Sequence, residues 1–296
     1  MIVAWRSAAD LPACLDSIAA DRAPGDGILV VDNGSPDSSG AVAARHPSAP
    51  SIIRSDRNLG FGGGCNLAIS ASTADLVFLV NPDARLRPGA TDGLVAALGA
   101  EPMVVAAGPR IEGPGGETGA AAAGFEPSIR SALGHFLLLA RVPLLGALVP
   151  PLQLPAGRSA QRVDWVSGAA LLARRDAIAG VGGFDERLFL YMEDVDLCRR
   201  LREAGGVIRY EPAAVADHAL GGSQGTDQAR RWIDAFGVYV ARRHGGPYAR
   251  AVSAVATLGL GLRAVALVLR GSPEAPRMAI AARAAARQVF NGISRG

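Results

Sequence analysis

Lysine is absent from the 296-residue chain, so arginine supplies all 30 of its lysine-plus-arginine residues. That absence removes the phosphate-loop lysine, Schiff-base chemistry and any lysine general base. Cysteine is scarce: Cys14, Cys65 and Cys198 stand far apart, each within an apolar or helical pattern. Neither a disulfide framework nor a zinc site follows from that spacing, and a reducing compartment suits it. The dinucleotide fingerprint is missing too, because G-x-G-x-x-G read from Gly60 would need glycine where Cys65 stands. A signal peptide is not expected, since Ile2 to Trp5 already reads as a core strand. Between Leu133 and Leu154, Pro143, Pro150, Pro151 and Arg141 exclude a spanning helix.

With 49% hydrophobic residues, the chain can bury a full core. Its net charge of +3 hides an asymmetry: from Ala241 onward nine Arg face one acid, Glu274, which leaves −5 on residues 1–240. The arginines of this tail alternate with apolar residues, a pattern suited to an anionic membrane surface and not to nucleic acid.

Leu76 to Val80 form a continuous apolar run, read as a strand buried on both faces, that stops at Asn81-Pro82-Asp83. A carboxylate at the carboxyl end of such a strand lies where open α/β sheets bind ligands, so Asp83 is placed to meet a substrate or a cation. Further strands are predicted at Ile2–Trp5, Ile28–Val31 and Ser51–Ile53, and helices from Leu11, over Ser38–Arg45 and over Cys65–Ser72. This alternation predicts a mostly parallel sheet with helices on both faces. Asp32 ends the second strand, and the glycine-rich Asn58 to Gly64 precedes a helix, where Gly60 and Gly62 would let backbone approach a ligand.

The strings VVDNGSPDSS (30–39), RNLGFGGGCN (57–66), VFLVNPDA (77–84), WVSGAALLARRDAI (165–178) and LYMEDVDLCRRLREAGG (190–206), followed by His218, resemble the ordered motifs of family 2 glycosyltransferases. The nearest flavour is the bacterial rhamnosyltransferase branch. The resemblance covers residues 2 to 223 and implies a GT-A nucleotide-diphospho-sugar transferase fold, Rossmann-like, plus C-terminal helices. It implies an inverting transfer, favoured from dTDP-L-rhamnose, to a hydroxyl of a lipid-linked or polysaccharide acceptor in cell-envelope glycan synthesis. A UDP-sugar transferase of the same fold and a non-catalytic sugar-nucleotide-binding protein are the alternatives.

Carried onto this chain, the motifs assign the pyrimidine N3 hydrogen to Asp32. Asp83, His218 and the diphosphate itself would hold a divalent cation, Mn or Mg, with Asp217 competing for the histidine's role. The catalytic base is expected in the acidic pair, Asp194 first and Glu193 second. Acids in a helix's first turn are also favoured by its dipole. Asp196 is expected to orient Arg199 or Arg200. Trp165 and Gly168 are expected to line the sugar or acceptor pocket. Two positions depart from the family pattern: Trp5-Arg6-Ser7 replace the Thr-Tyr-Asn-like strand end that contacts the base, and Asn81 replaces the first acid of D-x-D.

The expected division is a catalytic domain over 1–232, with an apolar acceptor-side segment near 130–155, and a basic helical tail over 233–296. In the tail, Val255, Leu258, Leu262, Val265 and Leu269 recur at helical spacing. An in-plane amphipathic helix, peripheral to the inner face of the cell membrane, suits that stripe. Packing on the domain or on a second copy, as a homodimer, is the alternative.

Overall fold

The computed structural model describes residues 1–113, 122–146, 148–155, 157, 159–218 and 225–290. The chain divides into two compact units, Met1–Gly124 with Pro155–Gly221, and Phe125–Leu154 with Gly222–Gly296. The apolar segment near 130–155, expected within the catalytic domain, therefore groups with the C-terminal helices. Aromatic packing of Phe136 against Phe236 ties it there, with ring centroids 6.0 Å apart.

In chain order the elements begin with β1 (Ile2–Ala4), α1 (Leu11–Asp21), β2 (Leu29–Asn33), α2 (Ser39–Ala44), β3 (Ser51–Ser55) and α3 (Gly60–Ser70). Next come β4 (Leu76–Val80), β5 (Ala84–Leu86), α4 (Ala90–Gly99), β6 (Val104–Glu112), β7 (Ala123–Gly124) and α5 (Ile129–Phe136). After a 3-10 turn at Leu139–Arg141 follow β8 (Gln161–Val163), β9 (Trp165–Val166), β10 (Ala170–Arg174), α6 (Arg175–Gly180), α7 (Glu193–Glu203) and β11 (Val207–His218). Three helices, α8 (Gly225–His244), α9 (Gly246–Leu269) and α10 (Ala275–Phe290), complete the series.

β1, β2 and β3 pair in parallel, as the strand-helix-strand alternation predicts. Beyond them the sheet is mixed. β10 enters antiparallel between β4 and β6, β6 pairs in parallel with β11, and β11 pairs antiparallel with β5 and β8. Val80 N donates to Met1 O at 3.0 Å and brings β4 beside β1. Burial of the first four residues of β10 explains its central place, for an all-apolar strand is stable only when covered on both faces. Ile2, Leu15, Val30, Leu94 and Leu172 share the core beneath these strands. Cys14, Cys65 and Cys198 are all buried.

The glycine-rich stretch is not the loop expected from sequence. It is the start of α3, because Asn58 Oδ1 accepts from Gly60 N at 2.8 Å and Asn33 Oδ1 accepts from Leu59 N at 3.0 Å, fixing the first turn. The glycines then permit close packing: a Cβ on Gly64 would meet Val3 Cγ1 at 2.5 Å, and one on Gly62 would meet Phe184 Cβ at 2.9 Å.

In the second unit, Ser128 and Ser131 form a reciprocal capping box that starts α5. α9 and α10 pack against each other with Ala281, Ala284 and Ala285 of α10 buried, and Gly259 of α9 lies against Phe136 of α5. Gln288, buried between helices, accepts from Ser253 Oγ at 2.8 Å and donates to Ile233 O at 2.9 Å. α9 buries its small face and turns Leu258, Leu262, Val265 and Leu269 outward, with Leu269 82% exposed. It is one helix long and apolar enough to cross a membrane, by length and composition.

Gly60 lies at φ +77, and a Cβ there would sit 2.6 Å from Phe189 O. Left-handed strain of about 1–2 kcal/mol and a backbone clash act together, so Gly60→Ala should cost about 2 kcal/mol or more in a urea unfolding curve. An unchanged midpoint would remove the close-approach role.

Candidate active site

Parallel pairing sets the first wall of the site. Ala4 lies opposite Asp32, so the chain leaving β1 at Trp5 and the chain leaving β2 emerge side by side. Asp37 stitches these ends together: its carboxylate accepts from the hydroxyls of Ser35 at 2.6 Å and Ser39 at 2.5 Å, and from Ala8 N at 3.2 Å. Although burial opposes it, this set of donors, with Ser39 N, holds the Asp37 carboxyl down to about 2. Arg6 takes a positive φ of 54°, and its guanidinium lies 4.7 Å from the centroid of the exposed Trp5 ring. Asp32 Oδ1 accepts from Ser35 N at 3.1 Å, and Gly40 leaves room for Oδ2, which a Cβ there would meet at 2.1 Å. Trp5 and Asp32 thus stand together at the strand ends. Asn58 does not project into this space, since it holds Asn33 Nδ2 at 3.1 Å and the Gly60 amide. Gly60 and Gly62 face Phe189 and Phe184.

The second wall forms where β4 ends and β5 begins. β11 runs antiparallel to β5 and sets His218 opposite Ala84. Its Nε2 reaches Asp83 Oδ1 at 3.0 Å and lies 3.4 Å from Asn81 Nδ2, while its Nδ1 is buried and has no hydrogen-bond partner among the described residues. The sequence brings Asn81, Asp83 and His218 together from opposite ends of the unit. Asp217 takes no part. Successive strand residues point to opposite faces, and its carboxylate is held by Arg87 at 2.6 and 3.2 Å. Arg87 also binds Glu112, which pairs in turn with Arg110. The described residues contain no group of three or more His, Cys, Asp or Glu arranged around one point, so an ion here would take two protein ligands of those types.

The third wall is the start of α7. Tyr191 and Met192 precede it at φ 68° and 69°, a consecutive left-handed pair that L side chains adopt only under constraint. Glu193 and Asp194 follow directly. Asp194 is partly exposed and accepts from Gly168 N at 2.9 Å and Val195 N at 2.8 Å. Gly168 must be glycine for this approach, because a Cβ would meet Phe61 Cε1 at 2.8 Å. Burial raises the Asp194 pKa, against those two hydrogen bonds. Glu193 is 5% exposed and its Oε2 has no partner. Burial first, and the neighbouring Asp194 charge second, push its pKa well above the ordinary carboxylate value. Burial thus raises both acids, and they differ in their partners: Glu193 is turned inward, whereas Asp194 is partly exposed and meets two backbone amides. Asp196 pairs with Arg199 and Arg200, each at 2.7 Å, as expected from sequence. Trp165 is 6% exposed in β9 and offers no open plate. Phe61, Asp37 and the strained Tyr191-Met192 pair carried no readable signal in the sequence.

The family model of glycosyl transferase family 2 matches residues 1–142. An N-acetylglucosaminyl-diphospho-decaprenol L-rhamnosyltransferase of Mycobacterium tuberculosis is 34% identical over 235 residues, which cover 74% of this chain and 76% of that protein. This chain belongs to glycosyltransferase family 2. It is a rhamnosyltransferase-like glycosyltransferase. A pre-mycofactocin glycosyltransferase of the same organism is 32% identical over 208 residues, 70% of this chain and 39% of that protein. Among solved structures, a mannosyltransferase from Pyrobaculum calidifontis in complex with GDP-Man and Mn2+ superposes with a TM-score of 0.63 at 17% identity, covering 98% of this chain and 85% of that one. GalNAc-T7 with UDP, GalNAc and Mn2+ gives 0.56 at 12% identity, over 82% of this chain and 49% of that one. The GT-A fold is common to them.

Above the ordinary Glu pKa of 4.5, the unfolded chain releases the Glu193 proton while the folded chain retains it. Stability therefore falls as pH rises through that window. Glu193→Gln abolishes this titration, so its advantage over the parent in urea should widen as pH rises above the ordinary Glu pKa of 4.5. A gap that stays constant with pH would mean Glu193 folds ionised.

Proposed function

We propose that this glycosyltransferase moves L-rhamnose from dTDP-L-rhamnose to a hydroxyl of a lipid-diphosphate-linked sugar, at the cytoplasmic face of a membrane. The reading is supported by Asp32 at the end of β2, the Asp83–His218 pair and Asp194 all belonging to one unit, with Asn81 N bonded to Ala169 O beside the Gly168 that holds Asp194. Each meets one demand of the transfer. Asp32, beside the Trp5–Arg6 stack, accepts the N3 hydrogen of thymine or uracil. Asp194, oriented by the Gly168 and Val195 amides, takes the proton of the acceptor hydroxyl as that oxygen displaces the diphosphate at the anomeric carbon. One base suffices for a single displacement with inversion, whereas a hydrolase uses two carboxylates across the bond.

The donor set at Asp83 fits a hard divalent ion: one carboxylate oxygen and one imidazole nitrogen 3.0 Å apart, with room in the shell for diphosphate oxygens. Asp83 and His218 would hold it, and when bound it would offset charge on the leaving diphosphate. The choice of rhamnose and of a lipid-linked acceptor rests on the named mycobacterial relative. Membrane attachment rests on α9. Its exposed large residues and the tail's excess of arginine suit an anionic bilayer surface, with Arg263 kept out of the hydrocarbon.

Calorimetry with dTDP and UDP, with and without Mn2+, tests the site directly. The expected result is metal-dependent binding of dTDP at least as tight as UDP, lost in Asp83→Ala. Asp194→Asn should retain that binding while losing about 100-fold or more in turnover. Retained turnover would remove Asp194 as base. Replacing Leu258 and Leu262 with Glu should release the protein from phosphatidylglycerol vesicles in a pelleting assay, and unchanged pelleting would sink the docking face.

A further inference from the structure

Beside the Asp83–His218 contact lies a cluster of charges that the transfer chemistry above does not use. Arg87, the first residue past β5, donates through Nη2 and Nε to the two carboxylate oxygens of Asp217, at 2.6 and 3.2 Å. The same Nη2 donates to Glu112 Oε2, and the other oxygen of Glu112 is held by Arg110. Glu112 ends β6, Asp217 is the penultimate residue of β11, and the two stand opposite each other in the parallel ladder. One guanidinium therefore ties together the ends of three neighbouring strands. Arg87 N also donates to Val215 O at 3.0 Å, so backbone and side chain of one residue grip the same end of β11.

That end needs an anchor of its own. The register of β11 against β6 shifts between Glu211 and Val215, and beyond the shift Val215, Ala216 and Asp217 pair with Arg110, Ile111 and Glu112, where β6 stops. On the other side Ala216, Asp217 and His218 meet the short β5. An irregularity of this kind bends a strand and interrupts its ladder, so the last residues of β11 are held by two short ladders and by Arg87. The Asp83 side differs. Asn81 N donates to Ala169 O at 2.9 Å and Asn81 O accepts from Ala84 N at 3.0 Å, so backbone bonds on both sides fix the turn that carries Asp83. The 3.0 Å approach of His218 to Asp83 is thus set by where the end of β11 is held.

We infer that Arg87 is a positioning residue for the proposed cation and diphosphate site: its fork on Asp217 fixes the end of β11 and so aims the next residue, His218, at Asp83. Neighbouring strand residues point to opposite faces, which lets Arg87 brace the strand from one face and leave the ligand side clear. A planar guanidinium grips a carboxylate through two parallel hydrogen bonds and fixes orientation as well as distance, whereas an ammonium is a point charge on a flexible stem. The inference rests on the reading that Asp83 and His218 hold a divalent ion. Arg110 keeps the buried Glu112 paired when Arg87 is replaced, so the variant does not strand a buried charge.

The test is calorimetry of dTDP binding to the full chain across a Mn2+ series, with imidazole NMR of the metal-free protein beside it. In Arg87→Gln the Mn2+ concentration that gives half of the metal-dependent gain should rise about tenfold, with metal-free dTDP affinity unchanged. Asp217→Asn should reproduce that rise, and the double variant should lose no more than either single, because all three remove one contact. Arg87→Lys should recover part of the loss. Without metal, the His218 imidazole signals should move in Arg87→Gln by more than those of His46 and His135. An unaltered Mn2+ response in the variant of a parent that shows one, an equal fall of metal-free and metal-loaded affinity, or additive single variants would overturn the inference. So would unmoved His218 signals. A parent indifferent to Mn2+, with His218 signals that still move in Arg87→Gln, would instead refute the cation reading and leave the positioning standing.

Discussion

The antiparallel pairing of β11 with β5 is the constraint on which the donor end of the catalytic unit depends. It sets His218 opposite Ala84, one residue from the acid that ends the buried β4 run, and so closes a 3.0 Å contact between groups 135 positions apart. The same pairing turns Asp217 to the other face, where Arg87 and Glu112 hold it. Parity along a strand therefore decides which of two neighbouring polar residues faces the ligand side and which one braces the sheet. β11 also pairs in parallel with β6 along most of its length, so His218 is delivered by one of the most extensively bonded strands of the unit. A group placed by such a strand moves little, which suits the diphosphate and cation site proposed for Asp83 and His218.

Much of this was legible in the sequence, for a definite reason. Leu76–Val80, Leu29–Val31 and Ile2–Ala4 are short apolar runs cut off by polar residues, and a strand buried on both faces can hardly be written otherwise. Their carboxyl ends therefore expose Asp32 and Asp83 to inspection before any coordinates exist. The glycine-rich stretch misled because glycine marks two unlike situations, a loop that cradles a ligand and a helix pressed against its neighbours. Only the position of Val3, Phe184 and Phe189 distinguishes them, and those contacts span up to about 130 residues. Trp165 misled in a similar way, since an aromatic beside glycine reads as a sugar platform whether or not the sheet covers it. The strained backbone at Tyr191 and Met192 has no signature in residue type at all.

The acidic pair at the start of α7 illustrates what sequence cannot divide and environment can. Both acids enjoy the favourable end of the helix dipole. Their difference lies in where the first turn points them. Glu193 is turned inward with an oxygen unpaired, whereas Asp194 meets two backbone amides and keeps access to solvent. Gly168 is the residue that permits this, because any side chain there would displace Phe61 or Asp194. For the base role proposed for Asp194, a neutral Glu193 would be useful, since an ionised one would oppose the negative charge that Asp194 must carry before it accepts a proton.

The second unit combines a core of large side chains, among them Phe136, Ile233, Phe236 and Tyr239, with close approaches through small ones. Gly237 leaves space for the Gln288 amide, and α9 buries Ala249, Ser253, Ala256, Gly259 and Ala264. The large apolar residues of α9 are then free to face outward, an arrangement that water penalises by roughly 25 cal/mol for each Å² of apolar surface left uncovered. Packing within the unit does not require them there, because the buried face is already complete without them. Arg263 sharpens the point. It sits midway along α9 with its head on the His135 carbonyl, which leaves the outward leucine stripe free of charge while a cation stays beside it. Charge and hydrocarbon are thereby separated around one helix, the pattern on which the proposed membrane attachment rests.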